Sequence, residues 1–369
     1  MTRRTARGRA GRDIVVVGAS AGGFQCVMEI ARSLPQNLPA AVFVVIHTSP
    51  NSAGVVPKLV GRNGYLHADY ARDDQKIEHG NIYFAPPDRH VLVKRGYMRV
   101  VRGPQENGFR PAVDPLFRTA ARAYGRRVIG VILSGALDDG THGLSIVKRH
   151  AGIAVVQHPD EAVIPSMPLS AVQNVEVDHI VGIAEMGRLI ERLVRETVEE
   201  VEVMPEKPDI AEMATEEPVA DSLSGAPSPF TCPSCGGSLW ELTDDAPMRF
   251  RCHVGHVFTA DSLSHAQSNG LEGALWSALR ALEEKAALRR KMALRALGRK
   301  TAAIASDYEA QARDAEQRAA LIREALVSDR PTDAGELKRR QRRAAAKPTP
   351  PEVAKPRSKK RKTTTNELE

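Results

Sequence analysis

The chain of 369 residues has few aromatic side chains, few cysteines and no long apolar run. Phe, Tyr and Trp make up only 4% of the residues, so large rings contribute little to any core. No apolar stretch approaches the ~20 residues of a transmembrane helix, and no signal peptide opens the chain. These absences argue against membrane-spanning and secreted classes. We expect a cytoplasmic protein.

The cysteines are too few and too unevenly placed for a disulfide framework. Cys26 stands alone near the start of the chain, whereas Cys232, Cys235 and Cys252 form a cluster far from it. A small cluster of this kind is typical of a metal site, and its presence agrees with a reducing compartment.

Positive charge is concentrated at the two ends of the chain. The net charge is +7, but residues 1–12 contribute +5 and residues 338–362 contribute +11, which leaves −9 for the remainder. The composition around these charges predicts disorder in residues 1–12 and 329–369. The C-terminal tail is either a contact for nucleic acid or an acidic membrane, or only a solubilising tail. The sequence leaves both open.

Short β-branched runs alternate with helical patterns over residues 13–198. The runs at 14–17, 41–47 and 127–134 are typical of strands buried on both faces. Strands that alternate with helices favour a doubly wound, mostly parallel α/β sheet.

A Gly-Ala-Ser-Ala-Gly turn at residues 18–22 joins the first strand to the first helix. As a G-x-S-x-G turn it would expose Ser20 at a helix N-terminus. As a glycine-rich loop it would hold the phosphate of a nucleotide. The nucleotide interpretation lacks an acidic residue about twenty positions further on. His47 occupies the next strand end instead.

Ser20, His47 and Asp139 each follow a different predicted strand. The carboxyl ends of strands in an open α/β sheet share one edge, so these side chains should meet there. A hydroxyl, an imidazole and a carboxylate are the groups that acyl transfer needs. Taken singly, His47 is better explained as a buried histidine and residues 138–140 as an Asp-Gly turn. The coincidence of all three favours a catalytic triad. The order Ser…His…Asp differs from that of α/β-hydrolases, so that fold is not inferred.

Five motifs, in order over about residues 13–195, resemble the catalytic domain of the CheB family of chemotaxis protein-glutamate methylesterases. They are Val-Gly-Ala-Ser-Ala-Gly-Gly at 17–23, Val-Ile-His at 45–47, Tyr-Phe-Ala-Pro-Pro-Asp-Arg-His at 83–90, Arg-Pro-Ala-Val-Asp-Pro-Leu-Phe at 110–117 and Leu-Ser-Gly-Ala-Leu-Asp-Asp-Gly-Thr at 133–141. The resemblance implies a serine hydrolase that removes methyl groups from γ-glutamyl methyl esters and deamidates glutamine. It implies no cofactor for catalysis.

The resemblance also assigns roles to single residues. It implies Ser20 as nucleophile, His47 as base and Asp139 as the aspartate that orients the base, with backbone amides near Ala21 and Ala136 as oxyanion donors. The implied partner is a methylated chemoreceptor or another glutamate-methylated signalling protein.

Two departures from the family pattern bear on activity. Ala136 and Leu137 stand where the family usually has Met and Gly, which should open the pocket and restrict a turn. Family members usually begin with a receiver domain, and we expect a stand-alone form without one. A catalytically weak or inactive signalling module, which acts through its C-terminal half, is the alternative.

A zinc-ribbon-like module is expected at residues 230–260, after an acidic linker at 199–229. Cys232, Cys235, Cys252 and His256 have the spacing of a closed tetrahedral zinc site, which would be structural. His253 competes with His256 for the fourth position, and reduced thiols without metal are the alternative. Because the linker separates this module from the sheet, we expect ester hydrolysis to be independent of the metal.

Residues 261–328 carry apolar residues at helical spacing, and a glycine interrupts them at 298. This pattern predicts an antiparallel helical hairpin. Its apolar stripes contain few large side chains, so we expect it to need a protein partner or self-association.

Overall fold

The computed structural model describes residues 9–52, 54–199, 209, 211, 225–242, 247–299 and 301–328. The chain divides into two compact units, Met1–Leu271 and Glu272–Glu369. Among the described residues, no helix combines the length and apolar character needed to cross a membrane. The predicted tail at 329–369 lies outside the described residues.

Strands and helices alternate through the first part of the chain. The elements are β1 (Arg9–Gly11), β2 (Ile14–Ala19), α1 (Gly23–Ser33), β3 (Ala41–Ile46), α2 (Val56–Asn63), β4 (His67–Tyr70), β5 (Gln75–Lys76), β6 (Asn81–Phe84), β7 (His90–Lys94), β8 (Tyr97–Val101), α3 (Val113–Tyr124), β9 (Val128–Ile132), α4 (Thr141–Arg149), β10 (Ile153–Gln157), α5 (Ser166–Asn174), β11 (His179–Val181), α6 (Ile183–Val194) and β12 (Thr197–Glu199).

Seven strands form a parallel sheet in the order β11-β10-β9-β2-β3-β6-β4. The chain runs from β2 to β3 on one side and later places β9 on the other side of β2. The strand order therefore reverses at β2, and a ligand crevice is expected at the carboxyl ends of these three strands. This sheet confirms the predicted doubly wound α/β class.

Helices cover both faces of the sheet, and each face has its own apolar core. On one face, α1 and α6 pack residues such as Ile30 and Ile190 against Val15. On the other face, α3, α4 and α5 contribute Phe117, Leu144 and Met167. The continuous β-branched runs of the central strands suit this two-sided burial.

A separate three-stranded sheet, in the order β5-β8-β7, contains the predicted hairpin at 90–101. It packs beside α3, where Thr119 Oγ1 accepts a hydrogen bond from the backbone N–H of Val93 at 3.0 Å. This small sheet leads directly into the segment that approaches the candidate site.

The C-terminal part of the chain contains a second sheet and two long helices. Four antiparallel strands, β13 (Gly225–Thr231), β14 (Ser238–Leu242), β15 (Arg249–Cys252) and β16 (Val257–Thr259), precede α7 (Ala260–Gly298) and α8 (Ala302–Ser328). The four strands belong to the same compact unit as the α/β sheet. Backbone pairing between Glu106 and Val257 joins them.

In the second unit, the part of α7 from Glu272 onward and α8 form the expected antiparallel pair. Arg290 contacts Glu316 at 2.8 Å, and Arg323 contacts Glu283, so positions later in one helix meet positions earlier in the other. The buried contacts are made mainly by alanine. They include Ala286, Ala293, Ala312, Ala315 and Ala319.

The predicted disordered N-terminus and the predicted acidic linker both contain ordered residues. Residues 9–11 form β1, which pairs with β12, so the prediction of disorder does not hold there, while residues 1–8 lie outside the described residues. In the predicted linker, Asp209 is buried against Arg118, with Oδ2 accepting from Nε at 2.7 Å. The last residues of that segment, 225–229, belong to β13.

Gly18 allows the first turn of α3 to approach β2. A Cβ at position 18 would lie 2.4 Å from Val113 Cγ1, far inside van der Waals contact. The close approach brings the N-terminus of α3 to the edge of the sheet where β2 and β9 end. A glycine at this strand position is therefore required by packing.

We predict that Gly18→Ala lowers the free energy of unfolding by about 1–3 kcal/mol, because the added methyl overpacks the contact with α3. Gly273→Ala is the matched control, since no atom lies near its added Cβ and it stands inside α7. That change should stabilise the helix slightly. Urea unfolding measures the free energy of unfolding of both variants. Equal changes in the two would show that the contact at Gly18 places no constraint on packing.

Candidate active site

Ser20, His47 and Asp139 all lie beyond the carboxyl ends of the three central strands. Ala19 pairs with Ile46 at the last register position of β2 and β3. The backbone N–H of His47 donates to Ala19 O at 3.1 Å, so His47 lies directly beside the serine turn. On the other side of β2, Leu133 N–H donates to Gly18 O at 2.9 Å. The topology thus brings all three residues to one edge.

His47 and Asp139 are in direct contact. His47 Nε2 lies 2.7 Å from Asp139 Oδ2, and the two side chains are only 4% and 0% exposed. His47 Nδ1 is buried and has no hydrogen-bond partner within the described part of the chain. Phe109 stacks on the imidazole, with ring centroids 3.7 Å apart and planes inclined by 8°. These contacts hold the ring with Nε2 toward the carboxylate.

Ser20 occupies the turn between β2 and α1. Its backbone N–H donates to Ser134 O at 3.0 Å, and its carbonyl accepts from Gly23 N–H at 2.9 Å. The residue is half-buried. Between the described residues Ser20 and His47 there is no side-chain hydrogen bond. The structure therefore joins His47 to Asp139 and leaves Ser20 at the adjacent strand end.

The two expected oxyanion donors lie in the turns on either side of this edge. Ala21 follows Ser20 in an exposed turn, and its carbonyl accepts from Ser134 Oγ at 2.8 Å. Ala136 is half-buried and is followed by Leu137, whose φ of 62° is unusual for a branched side chain. In the described structure, neither the Ala21 nor the Ala136 N–H donates to a protein acceptor. Both remain able to bind a ligand oxygen.

Asp139 is held by more groups than the imidazole. Its Oδ2 accepts from the backbone N–H of Val113 at 2.7 Å, at the start of α3, where the helix dipole favours negative charge. Its Oδ1 accepts from Asn107 Nδ2 at 3.0 Å. The sequence-based site did not include Asn107 or Phe109. Their position just before the Arg-Pro motif at 110–111 was the available signal.

Two buried carboxyl groups share this region and differ in pKa. Burial would raise the pKa of Asp139, but the contacts with His47, Val113 and Asn107 bring it below the ordinary value. Burial, together with the negative charge of Asp139, raises the pKa of Asp114 to about 8. At neutral pH the pair therefore carries its negative charge on the residue that contacts the imidazole.

Asp138, the neighbour of Asp139, faces the C-terminal part of the chain. Its Oδ1 accepts a hydrogen bond from Thr259 Oγ1 at 2.9 Å. Burial raises the pKa of Asp138 to about 6, and the bond from Thr259 opposes this shift. The folded protein therefore holds a proton on Asp138 more tightly than the unfolded chain does.

We predict that Asp138→Asn gains stability relative to the wild type as pH rises. The raised pKa stabilises the folded state below about pH 4, and this contribution is lost as pH rises through about 6. The amide avoids that loss and still offers Thr259 an acceptor. Urea unfolding at pH 4 and pH 7 should show a relative gain of roughly 2 kcal/mol at the higher pH.

The exposed variant Asp160→Asn is the control for simple loss of charge. The explanation by burial of Asp138 would be contradicted by either of two results. The gain in unfolding free energy of Asp138→Asn could be the same at pH 4 and pH 7, or Asp160→Asn could show the same gain.

Four side chains of the C-terminal sheet converge on a point. The ligand atoms of Cys232, Cys235, Cys252 and His256 all lie within 4.8 Å of one another. Cys235 Sγ and Cys252 Sγ are 3.7 Å apart, and Cys252 Sγ lies 3.6 Å from His256 Nδ1. A tetrahedral ion with Zn–S bonds of about 2.3 Å would separate two sulfur ligands by about 3.7 Å. The residues therefore fit a metal ion, while His253 is exposed outside the group.

Comparison with known proteins places the α/β part of the chain in a class of carboxylic ester hydrolases. The family model for CheB methylesterase matches residues 15–190. A putative protein-glutamate methylesterase/protein-glutamine glutaminase of Leptospira interrogans is 33% identical over 189 residues, covering 51% of this chain and 98% of that protein. Protein-glutamate methylesterase/protein-glutamine glutaminase 2 of Anaeromyxobacter dehalogenans is 34% identical, covering 52% of this chain and 57% of that protein.

The crystal structure of the Thermotoga maritima CheB methylesterase catalytic domain is 30% identical to this chain. The two structures match over 49% of this chain and 98% of that domain, with a TM-score of 0.47. The relative from Leptospira interrogans, 33% identical and matched over 98% of its length, shows that the chain belongs to the CheB methylesterase family.

Proposed function

We propose that this protein hydrolyses γ-glutamyl methyl esters of a methylated chemoreceptor, with Ser20 as nucleophile, His47 as base and Asp139 as the group that orients the base. The observation that carries the proposal is the buried 2.7 Å contact between His47 Nε2 and Asp139 Oδ2 beside the Ser20 turn. Family membership and the names of the relatives support the choice of ester. Another signalling protein that carries glutamate methyl esters would be a substrate of the same kind.

The contacts of His47 define the path of the proton. Because Nε2 faces the carboxylate, neutral His47 carries its hydrogen on Nε2 and its lone pair on Nδ1. Nδ1 is then the nitrogen that takes the proton from Ser20 Oγ as this oxygen attacks the ester carbonyl. Asp139 stabilises the imidazolium that forms. The backbone N–H groups of Ala21 and Ala136 would bind the developing oxyanion.

Collapse of the tetrahedral intermediate breaks the bond to the methoxy group. The imidazolium gives its proton to that oxygen, methanol leaves, and an acyl-enzyme remains on Ser20. Water then attacks the acyl carbon while His47 takes a proton from it. Collapse of this second intermediate breaks the bond between the acyl carbon and Ser20 Oγ, the imidazolium returns its proton to Oγ, and the glutamate side chain is released. Glutamine would give the same acyl-enzyme with ammonia as the leaving group. The relatives' names include this second activity.

We predict that Ser20→Ala and His47→Ala abolish methanol release from membranes that carry a methylated chemoreceptor. Asp139→Asn should lower kcat by roughly 10³-fold or more, since an amide in place of the carboxylate no longer fixes the imidazole tautomer. Asp138→Asn is the matched control, because its amide oxygen still accepts from Thr259.

Wild-type turnover by Ser20→Ala would refute the proposed nucleophile. Equal losses in Asp138→Asn and Asp139→Asn would refute the proposed division of roles between the two aspartates. The far-UV circular dichroism spectrum and the urea unfolding curve of each variant show whether it is folded.

We infer that the C-terminal sheet binds one Zn²⁺ through Cys232, Cys235, Cys252 and His256. The separation of the sulfur atoms, at 3.7 Å for Cys235 and Cys252, supports a tetrahedral site and is far too long for a disulfide. Three thiolates and one imidazole leave no position for a substrate, so the ion's role would be structural. The small apolar core around Leu239, Phe250 and Phe258 would gain folding free energy from the metal.

Metal analysis of purified protein should give one zinc per chain, and this should be lost in Cys235→Ser and His256→Ala. His253→Ala is the matched control, since that exposed histidine lies beside the cluster. Loss of metal should also expose residues 225–259 to protease, because metal binding supplies on the order of 10 kcal/mol in small zinc modules. Metal loss in His253→Ala with retention in His256→Ala would overturn the ligand set.

A further inference from the structure

The segment at residues 105–109 contacts both members of the buried His–Asp pair. Asn107 donates to Asp139 Oδ1 at 3.0 Å, and Phe109 stacks on the His47 ring. Glu106, which directly precedes Asn107, accepts two hydrogen bonds from the buried Arg118 at 2.6 and 2.7 Å. This segment is therefore the part of the chain best placed to determine the geometry of the pair.

The C-terminal sheet holds the same segment by its backbone. Asn107 N–H donates to Val257 O at 2.7 Å, and Val257 N–H donates to Gln105 O at 3.3 Å. These two bonds join the segment to β16, which lies about 150 residues later in the chain. The sequence predicted that the zinc-ribbon-like module lies apart from the crevice. That prediction is wrong, because β16 is bonded to the segment that contacts the His–Asp pair.

The start of α7 completes the hydrogen bonding of the Asn107 amide. Its Oδ1 accepts from the backbone N–H of Thr259 at 3.0 Å and from Ser262 Oγ at 3.1 Å. Its Nδ2 donates to Asp139 at 3.0 Å and to Asp114 Oδ2 at 3.1 Å. A backbone N–H only donates and an ionised carboxylate only accepts, so the amide has one consistent orientation.

Thr259 and Ser262 are themselves fixed by helix capping. Thr259 precedes α7, and its Oγ1 accepts from Ser262 N–H at 3.1 Å, as N-cap residues do. Both residues are buried, at 1% and 2% exposure. The beginning of a C-terminal helix thus reaches Asp139 through a single side chain.

We propose that Asn107 is a positioning residue for the Asp139–His47 pair, and that Thr259, at the end of β16, and Ser262, in the first turn of α7, hold its amide in the orientation that donates to Asp139. Without Ser262, Asn107 Oδ1 keeps only the backbone donor, and the amide gains freedom to rotate away from Asp139. Without Asn107, Asp139 loses a buried hydrogen bond that stabilises its charge. The proposal rests on the proposed function, since it assigns how the end of β16 and the start of α7 support that reaction.

The test is a double-mutant cycle on the full-length, metal-loaded protein, with methanol release from methylated chemoreceptor membranes as the assay. The variants are Ser262→Ala, Asn107→Gly and the double variant. Glycine suits position 107 because its φ is 54°, so the change removes the amide without adding backbone strain. Ser264→Ala is the matched control, an exposed serine in the same helix.

Asn107→Gly should lower kcat roughly 10- to 100-fold, the effect of losing a hydrogen bond to a charged group, and leave KM within about twofold. Ser262→Ala should lower kcat about fivefold in the wild-type background. It should have no further effect once Asn107 is absent, because it acts through that side chain. Ser264→Ala should match the wild type.

Ser262→Ala with wild-type kcat, or losses that multiply fully in the double variant, would overturn the proposal. A general loss of structure would affect the double variant more than either single one, so the cycle separates positioning from unfolding. Ser20→Ala shows whether the positioning proposal alone is wrong or the proposed esterase function is wrong as well. If Ser20→Ala is inactive and Ser262→Ala is unchanged, the function stands and the positioning role falls.

Discussion

The buried negative charge of Asp139 is the constraint on which the arrangement of the site depends. An ionised carboxylate without exposure to water is costly unless other groups replace its hydration. Here that replacement comes from separate parts of the chain: the start of α3, the amide of Asn107 and the ring of His47. Gly18 makes one of these contacts possible, because the close approach of Val113 to β2 brings the α3 N-terminus to the end of β9. The neutral state of Asp114 keeps a second charge from competing for the same donors.

Much of the sheet could be predicted from the sequence, because its signals are local. Uninterrupted β-branched runs specify strands buried on both faces, and the alternation with helices specifies parallel pairing. The rule that strand ends share an edge then places Ser20, His47 and Asp139 together without any knowledge of distances. The short edge strand β4 (His67–Tyr70) is less apolar, and its polar, half-exposed residues carry no comparable pattern.

The parts that could not be predicted depend on contacts between distant residues. Asn107 has the appearance of a turn residue, and its left-handed φ of 54° supports that reading. Nothing local indicates that its side chain joins Asp139 to Thr259 and Ser262. Asp209 is a similar case, because it belongs to a stretch whose composition predicts a linker, yet its carboxylate pairs with the fully buried Arg118. The acidic composition of that stretch describes its average character and gives no sign that Asp209 is buried.

The attachment of β16 to residues 105–109 has a consequence for biosynthesis. The ribosome delivers the seven-stranded sheet, with Ser20, His47 and Asp139, well before it delivers Thr259 and Ser262. During that interval the side-chain oxygen Oδ1 of Asn107 lacks the two donors that it has in the finished chain. The site is completed only when the start of α7 leaves the exit tunnel and docks. Translation order therefore separates the synthesis of the sheet from the synthesis of the residues that complete the hydrogen bonds of Asn107.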